Sequence, residues 1–102
     1  GAWTNSCDQR LKKGIQPVIN ALDRLLGLRG VTFEWKEPER YGNLVGQQTG
    51  LVAQDVEKVF PEWVATGPDG FKEVSIRGFE ALTIEALREL KNRIDDLANC
   101  KR

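Results

Sequence analysis

The sequence predicts a small α+β domain, with short strands and helices followed by a long C-terminal helix. Three observations carry this. Residues 79–99 are rich in Ala, Leu, Glu, Lys and Arg, the strongest helix formers. The stretch LRGVTFEWK alternates apolar Val31, Phe33 and Trp35 with polar Thr32, Glu34 and Lys36, the period of a half-buried strand. Gly- and Pro-bearing breaks interrupt everything before residue 79, so every element there is short.

In chain order, the first predicted element is a helix beginning near Gly14. Pro17 suits its first turn, where the missing N–H has no partner to lose. Val18, Leu22 and Leu25 follow at helical spacing, with Ile19 and Leu26 widening the stripe. Gly27 is the predicted stop, through a left-handed cap. The strand at 31–36 comes next, and residues 37–50, EPERYGNLVGQQTG, read as a loop. A structureless connection of that length is unusual in a compact domain and marks a functional or mobile segment.

LVAQDVEKVFPEWV predicts a short helix with Val52, Val56 and Val59 on one face, ended by Pro61. GPDG at 67–70 is a turn signal, and FKEVSI after it alternates Phe71, Glu73 and Ser75 with Lys72, Val74 and Ile76. In the last helix Leu87, Leu90, Ile94 and Leu97 step by three and four, a coiled-coil seam, with Thr83 one step earlier. So narrow a stripe needs a cover. Either copies of the same helix supply it, or the helix folds back on its own domain, against Phe33 and Trp35.

Composition narrows the function. The chain has 102 residues, enough for one domain. Fifteen Lys and Arg balance fifteen Asp and Glu, so no nucleic-acid footprint is expected. No apolar run approaches the roughly 20 residues that span a bilayer, so no membrane partner is expected. The N-terminus lacks signal-peptide character, and its abrupt start predicts a fragment of something longer. With no His and two Cys, the usual zinc sets and the commonest general base are missing, so no metal and no cofactor are expected. The glycines at 46 and 50 lack the lysine and spacing of a phosphate loop. Trp3, Trp35 and Trp63 are expected to pack, and Gln54 and Asp55 to cap or bridge to the strand.

The polar stretch NSCDQRLKKGI poses the chemical question, because Cys7 precedes Lys12 by five residues. A nearby cation lowers a thiol's pKa and so favours the nucleophilic thiolate, and a lysine whose own pKa is depressed serves as a base. A nucleophile–lysine dyad is enough to break an amide. An extended five-residue step is about 17 Å, so the two side chains meet only if the segment turns. Asp8 is placed to orient the lysine or to hold Arg10. The bland alternative is one thiol and one solvated amine near a chain end.

CDQRLKKGI resembles the opening motif of the intramolecular chaperone auto-processing domain, the peptidase S74 family: Ser-Asp-x-Arg-Leu-Lys with an apolar residue soon after. TGLVAQDVEKVFPEWV resembles the family's second signature, LRGVTFEWK the strand between them, and VSIRGFEALTIEALRELK the terminal strand and helix. The likeness runs in family order from about residue 7 to residue 99. Members of this family end phage tail fibres, tailspikes and neck appendages, and occur in myelin regulatory factor.

The resemblance implies a homotrimer whose C-terminal helices form a trimeric coiled coil. Such a trimer helps the upstream region of its own precursor fold, then cuts itself off. The implied location is virion-associated, or host cytoplasm during assembly. Residues 1–6 would be the end of an upstream fibre or stalk and 7–102 the chaperone domain. By motif position Lys12 is the implied catalytic lysine, with Asp8 and Arg10 in support, and Ser6–Cys7 is the scissile bond. Lys91 and Arg93, flanking the seam, are expected to pair with acidic residues of a neighbour.

One position departs from the motif: Cys7 stands where the family has serine. Ser6 is out of register, since five residues after it comes Leu11. A thiol at that position either preserves attack on the preceding carbonyl or disables a geometry tuned for oxygen. The first outcome is a self-cleaving chaperone and the second a trimerisation module that no longer cuts. Backbone N–H groups near Asp8 or in the loop at 42–50 are the candidate oxyanion donors. A third class, a carbohydrate- or receptor-binding fibre tip, would require an exposed aromatic cluster, which the sequence does not reveal.

Overall fold

A computed structural model describes residues 6–100. The α+β class is as expected: three helices, α1 (Ala21–Leu26), α2 (Ala53–Val59) and α3 (Phe79–Cys100), with two small hairpin sheets. Strands β1 (Val31–Phe33) and β2 (Gln48–Gly50) pair antiparallel, Thr32 opposite Thr49. Strands β3 (Val64–Thr66) and β4 (Lys72–Val74) pair antiparallel, Ala65 opposite Glu73, around the turn at 67–70. No helix among the described residues is long and apolar enough to cross a membrane.

The core is small. Among the described residues only Ala21, Leu22, Val56, Phe60, Trp63, Leu82 and Ala86 are buried. Phe60 and Trp63 stack with ring centroids 4.0 Å apart, and the Arg24 guanidinium lies 4.3 Å from the Phe60 ring centre. The radius of gyration is 18.2 Å, against about 13 Å for a compact chain of this size. Leu82 and Ala86 in the first half of α3 pack on the core, whereas every residue from 91 to 100 is exposed, as is every residue from 6 to 20.

Several elements differ from expectation. The first helix begins at Ala21, not near Gly14, because Asn20 takes a left-handed conformation (φ 58°) and the chain before it is non-helical. Glu89 of α3 sets that start. Its carboxylate accepts hydrogen bonds from the backbone N–H of Ala21 (3.1 Å) and Leu22 (2.8 Å), two of the donors a helix N-terminus leaves unpaired. Replacing Glu89 by Ala removes both acceptors and is expected to cost about 1–2 kcal/mol in urea unfolding. An unchanged midpoint would show that water replaces the carboxylate without loss.

Gly27 follows α1, but with φ −74° it is no left-handed cap. Its use is close approach, since a Cβ there would stand 3.0 Å from Val59 Cγ2, pressing α1 against α2. Val52 does not share the buried face of α2. It precedes the helix and is exposed, and Phe60 completes the stripe with Val56 and half-buried Val59. The loop at 37–50 contributes β2 and a 3-10 turn at Pro38–Arg40. Phe71 and Ile76, flanking β4, are exposed. Trp35 and Trp63 pack as expected; Trp3 lies outside the described residues.

Candidate functional site

Residues 6–20, which carry Ser6, Cys7, Asp8, Arg10 and Lys12, are all exposed. A single 3-10 turn, Gln9–Leu11, gives the segment local order. Asp8 caps it. Its carboxylate accepts from the Arg10 backbone N–H (2.9 Å) and, at 2.8–3.3 Å, from the Arg10 guanidinium, a forked charge-assisted pair. Asp8 therefore holds Arg10 rather than the lysine. The guanidinium and that N–H together hold the Asp8 carboxyl below the ordinary aspartate range, and the Asp8 carboxylate in turn raises the pKa of Arg10.

A depressed carboxylate pKa gives a contribution that is complete above the unfolded value and lost as pH falls through the folded one. The capped turn is thus expected to persist at and below the ordinary aspartate value of 3.8 and to open only in stronger acid. An NMR titration of the Arg10 amide checks this; a midpoint at or above that value would contradict the pairing.

Cys7 and Lys12 are both exposed, and no hydrogen bond joins Cys7 Sγ to Lys12 Nζ. From Lys13 to Ile19 the backbone makes no hydrogen bond to another described residue. Leu11, Ile15 and Ile19 point their apolar side chains at solvent, each more than 60% exposed. In one chain the segment has chemistry-bearing residues but no wall, no buried partner and no cover.

The helix seam is similarly uncovered. Leu87, Leu90, Ile94 and Leu97 are 42–66% exposed. The domain meets α3 through another stripe: Leu82, Ala86, Glu89 and Arg93, the last pairing with Asp23 at 3.1 Å. Each of these precedes a seam position by one residue, a rotation of about 100° around the helix. The two covers weighed for this helix are therefore not exclusive. It packs on α1 rather than on Phe33 and Trp35, and its seam remains open. Lys91 and Arg93 have partners within the chain, Asp95 (2.6 Å) and Asp23.

Asp55 reaches toward the strand as expected, 3.4 Å from Arg29 just before β1, whereas Gln54 is exposed. An aromatic groove that the sequence did not reveal encloses about 450 Å³ beside β1. Trp35 stacks on Tyr41 at 4.0 Å, and Phe33 and Phe71 complete the cluster. Glu89 was also missed. The signal available was a carboxylate in line with Leu82 and Ala86 on the inward face of a helix.

The family model for peptidase S74, described as the chaperone of endosialidase, matches residues 7–65, more than half of the chain. The chain belongs to the peptidase S74 family. The match begins at Cys7. The long tail fiber protein Gp37 of Enterobacteria phage K3 is 34% identical over 94 residues, which are 88% of this chain and 8% of that protein. The same-named protein of Enterobacteria phage T2 is also 34% identical, and that of Salmonella phage S16 is 33% identical over 97 residues, 90% of this chain and 13% of the relative. The chain thus spans about a tenth of the length of these relatives, whose likeness extends the S74 similarity beyond residue 65 toward α3.

Proposed function

We propose that this S74 chain is the C-terminal intramolecular chaperone of a virion-associated, fibre-like protein, acting as a homotrimer. It holds three copies of the upstream chain together while they fold, and is then released by cleavage between Ser6 and Cys7. The observation that carries this reading is the open seam of α3 on a domain with so small a core. Leu87, Leu90, Ile94 and Leu97 form an apolar line that a parallel bundle of the same helices would bury. Scattering of the intact chain is expected to give three times its 11.5 kDa mass. A monomer at every concentration would overturn the assembly reading.

The cleavage step uses the motif residues. Lys12 Nζ, as the free amine, takes the proton of the Cys7 thiol. Sγ attacks the Ser6 carbonyl carbon, the C–N bond to Cys7 breaks, and the departing amine takes a proton from Lys12. Water then hydrolyses the resulting thioester, leaving a Ser6 carboxylate, a free Cys7 thiol and a new N-terminal amine. Two further features support a site that is completed between copies: the absence of a hydrogen bond between Cys7 and Lys12, and the lack of any buried residue from 6 to 20.

The second reading, a folding module that no longer cuts, is favoured by Cys7 itself. Sulfur is larger than oxygen, and small misplacements of a reacting atom lose large factors in rate.

A further inference from the structure

A second apolar groove lies beside the seam, enclosing about 510 Å³ between Leu25, Leu28, Leu51, Ile76, Phe79 and Thr83, with Gly30 at its edge. Its apolar surface marks it as a place for an occupant, because it continues out of the groove onto open faces: Ile76, Phe79, Ile84 and Leu87 are 48–62% exposed.

The heptad register says what fits there. With Leu87 and Ile94 at position a, and Leu90 and Leu97 at d, Thr83 falls at d, Phe79 at g and Ile84 at e. Cyclic symmetry makes the helices of a trimer parallel. In parallel coiled coils a g residue meets the e residue of the neighbouring helix in the next heptad. Phe79 of one copy therefore meets Ile84 of the next, five residues on in sequence. The domain packs on the c and g side of α3, through Leu82, Ala86, Glu89 and Arg93, so the e side of each helix is free to face the neighbour's groove.

We infer that Ile84 of one copy is the knob that fills the Leu25–Leu28–Ile76–Phe79–Thr83 groove of the next copy. The contact rests on the trimeric reading and adds a handed, head-to-tail interface outside the central seam. It repeats three times around the axis, so each domain is clamped to its neighbour's helix.

Two variants test it from opposite sides. Ile84→Glu removes the knob at a residue exposed in the single chain. Gly30→Leu fills the groove at a position where a Cβ meets nothing within 4 Å and the backbone is not left-handed. Circular dichroism of both is expected to match the unmodified chain, and each is expected to raise the concentration of half-assembly on the order of 50-fold in sedimentation equilibrium. If the unmodified chain is trimeric and both variants assemble as well as it does, the groove contact is overturned and the seam reading survives. If the unmodified chain is itself monomeric, the trimeric reading fails first.

Discussion

A Cys7→Ser chain is expected to divide after Ser6 on incubation at neutral pH, with intact mass replaced by that of residues 7–102. Adding Lys12→Met should keep it whole, because a positioned base contributes roughly 10²–10⁴ in rate. The reason is chemical. At neutral pH a serine hydroxyl is a poor nucleophile without a base, and this chain has no histidine to supply one. In the proposed mechanism Lys12 takes that task. The unmodified chain calibrates the result: slower cleavage means that sulfur attacks from an imperfect position, and none means that it blocks the site. If the serine form stays intact while trimeric, the peptidase assignment fails, and the chain is a folding module alone.

Leu90→Glu is expected to leave a folded monomer. Leu90 is 42% exposed in the single chain and lies outside its buried core, so the domain should keep its circular dichroism and thermal transition. In a threefold bundle the same position is buried in all copies. Burying the exposed 42% of each Leu90 is worth roughly 0.6–1.3 kcal/mol per side chain, so its loss removes about 2–4 kcal/mol per trimer, before the repulsion of three carboxylates around one axis is counted. Light scattering reads the outcome. Combined with Cys7→Ser, the substitution also asks whether cutting depends on assembly. If the monomer still cleaves at the trimer's rate, the site is complete within one chain.

The long helix was legible in the sequence because helix formers and a repeating apolar step act over many residues at once. Its bounds fall within a residue of those expected. The strand at Val31–Phe33 was legible through alternation, although it pairs for only three residues and Trp35 leaves it to stack on Tyr41. Strand β3 was not legible: Val64, Ala65 and Thr66 are too few to show a period, and their partner is fixed by the turn after them. The start of α1 was misread because the deciding group, Glu89, lies 68 residues from Ala21. Pro17 permits a helix without requiring one. At the candidate site, the Asp8 cap is local chemistry, whereas Cys7 and Lys12 were singled out by spacing and given roles by resemblance. No hydrogen bond joins them in one chain.

The Glu89 carboxylate has a geometric effect beyond the two hydrogen bonds it accepts. It pegs the foot of α1, and with it the end of the strap that carries the S74 opening motif, to one rung of the C-terminal helix. In a bundle slipped by one heptad, one of the three straps would sit about 10 Å above or below the others. In the proposed trimer only aligned copies would present three straps at equal height, so the peg would turn the alignment of the helices into a checkpoint on the upstream chains.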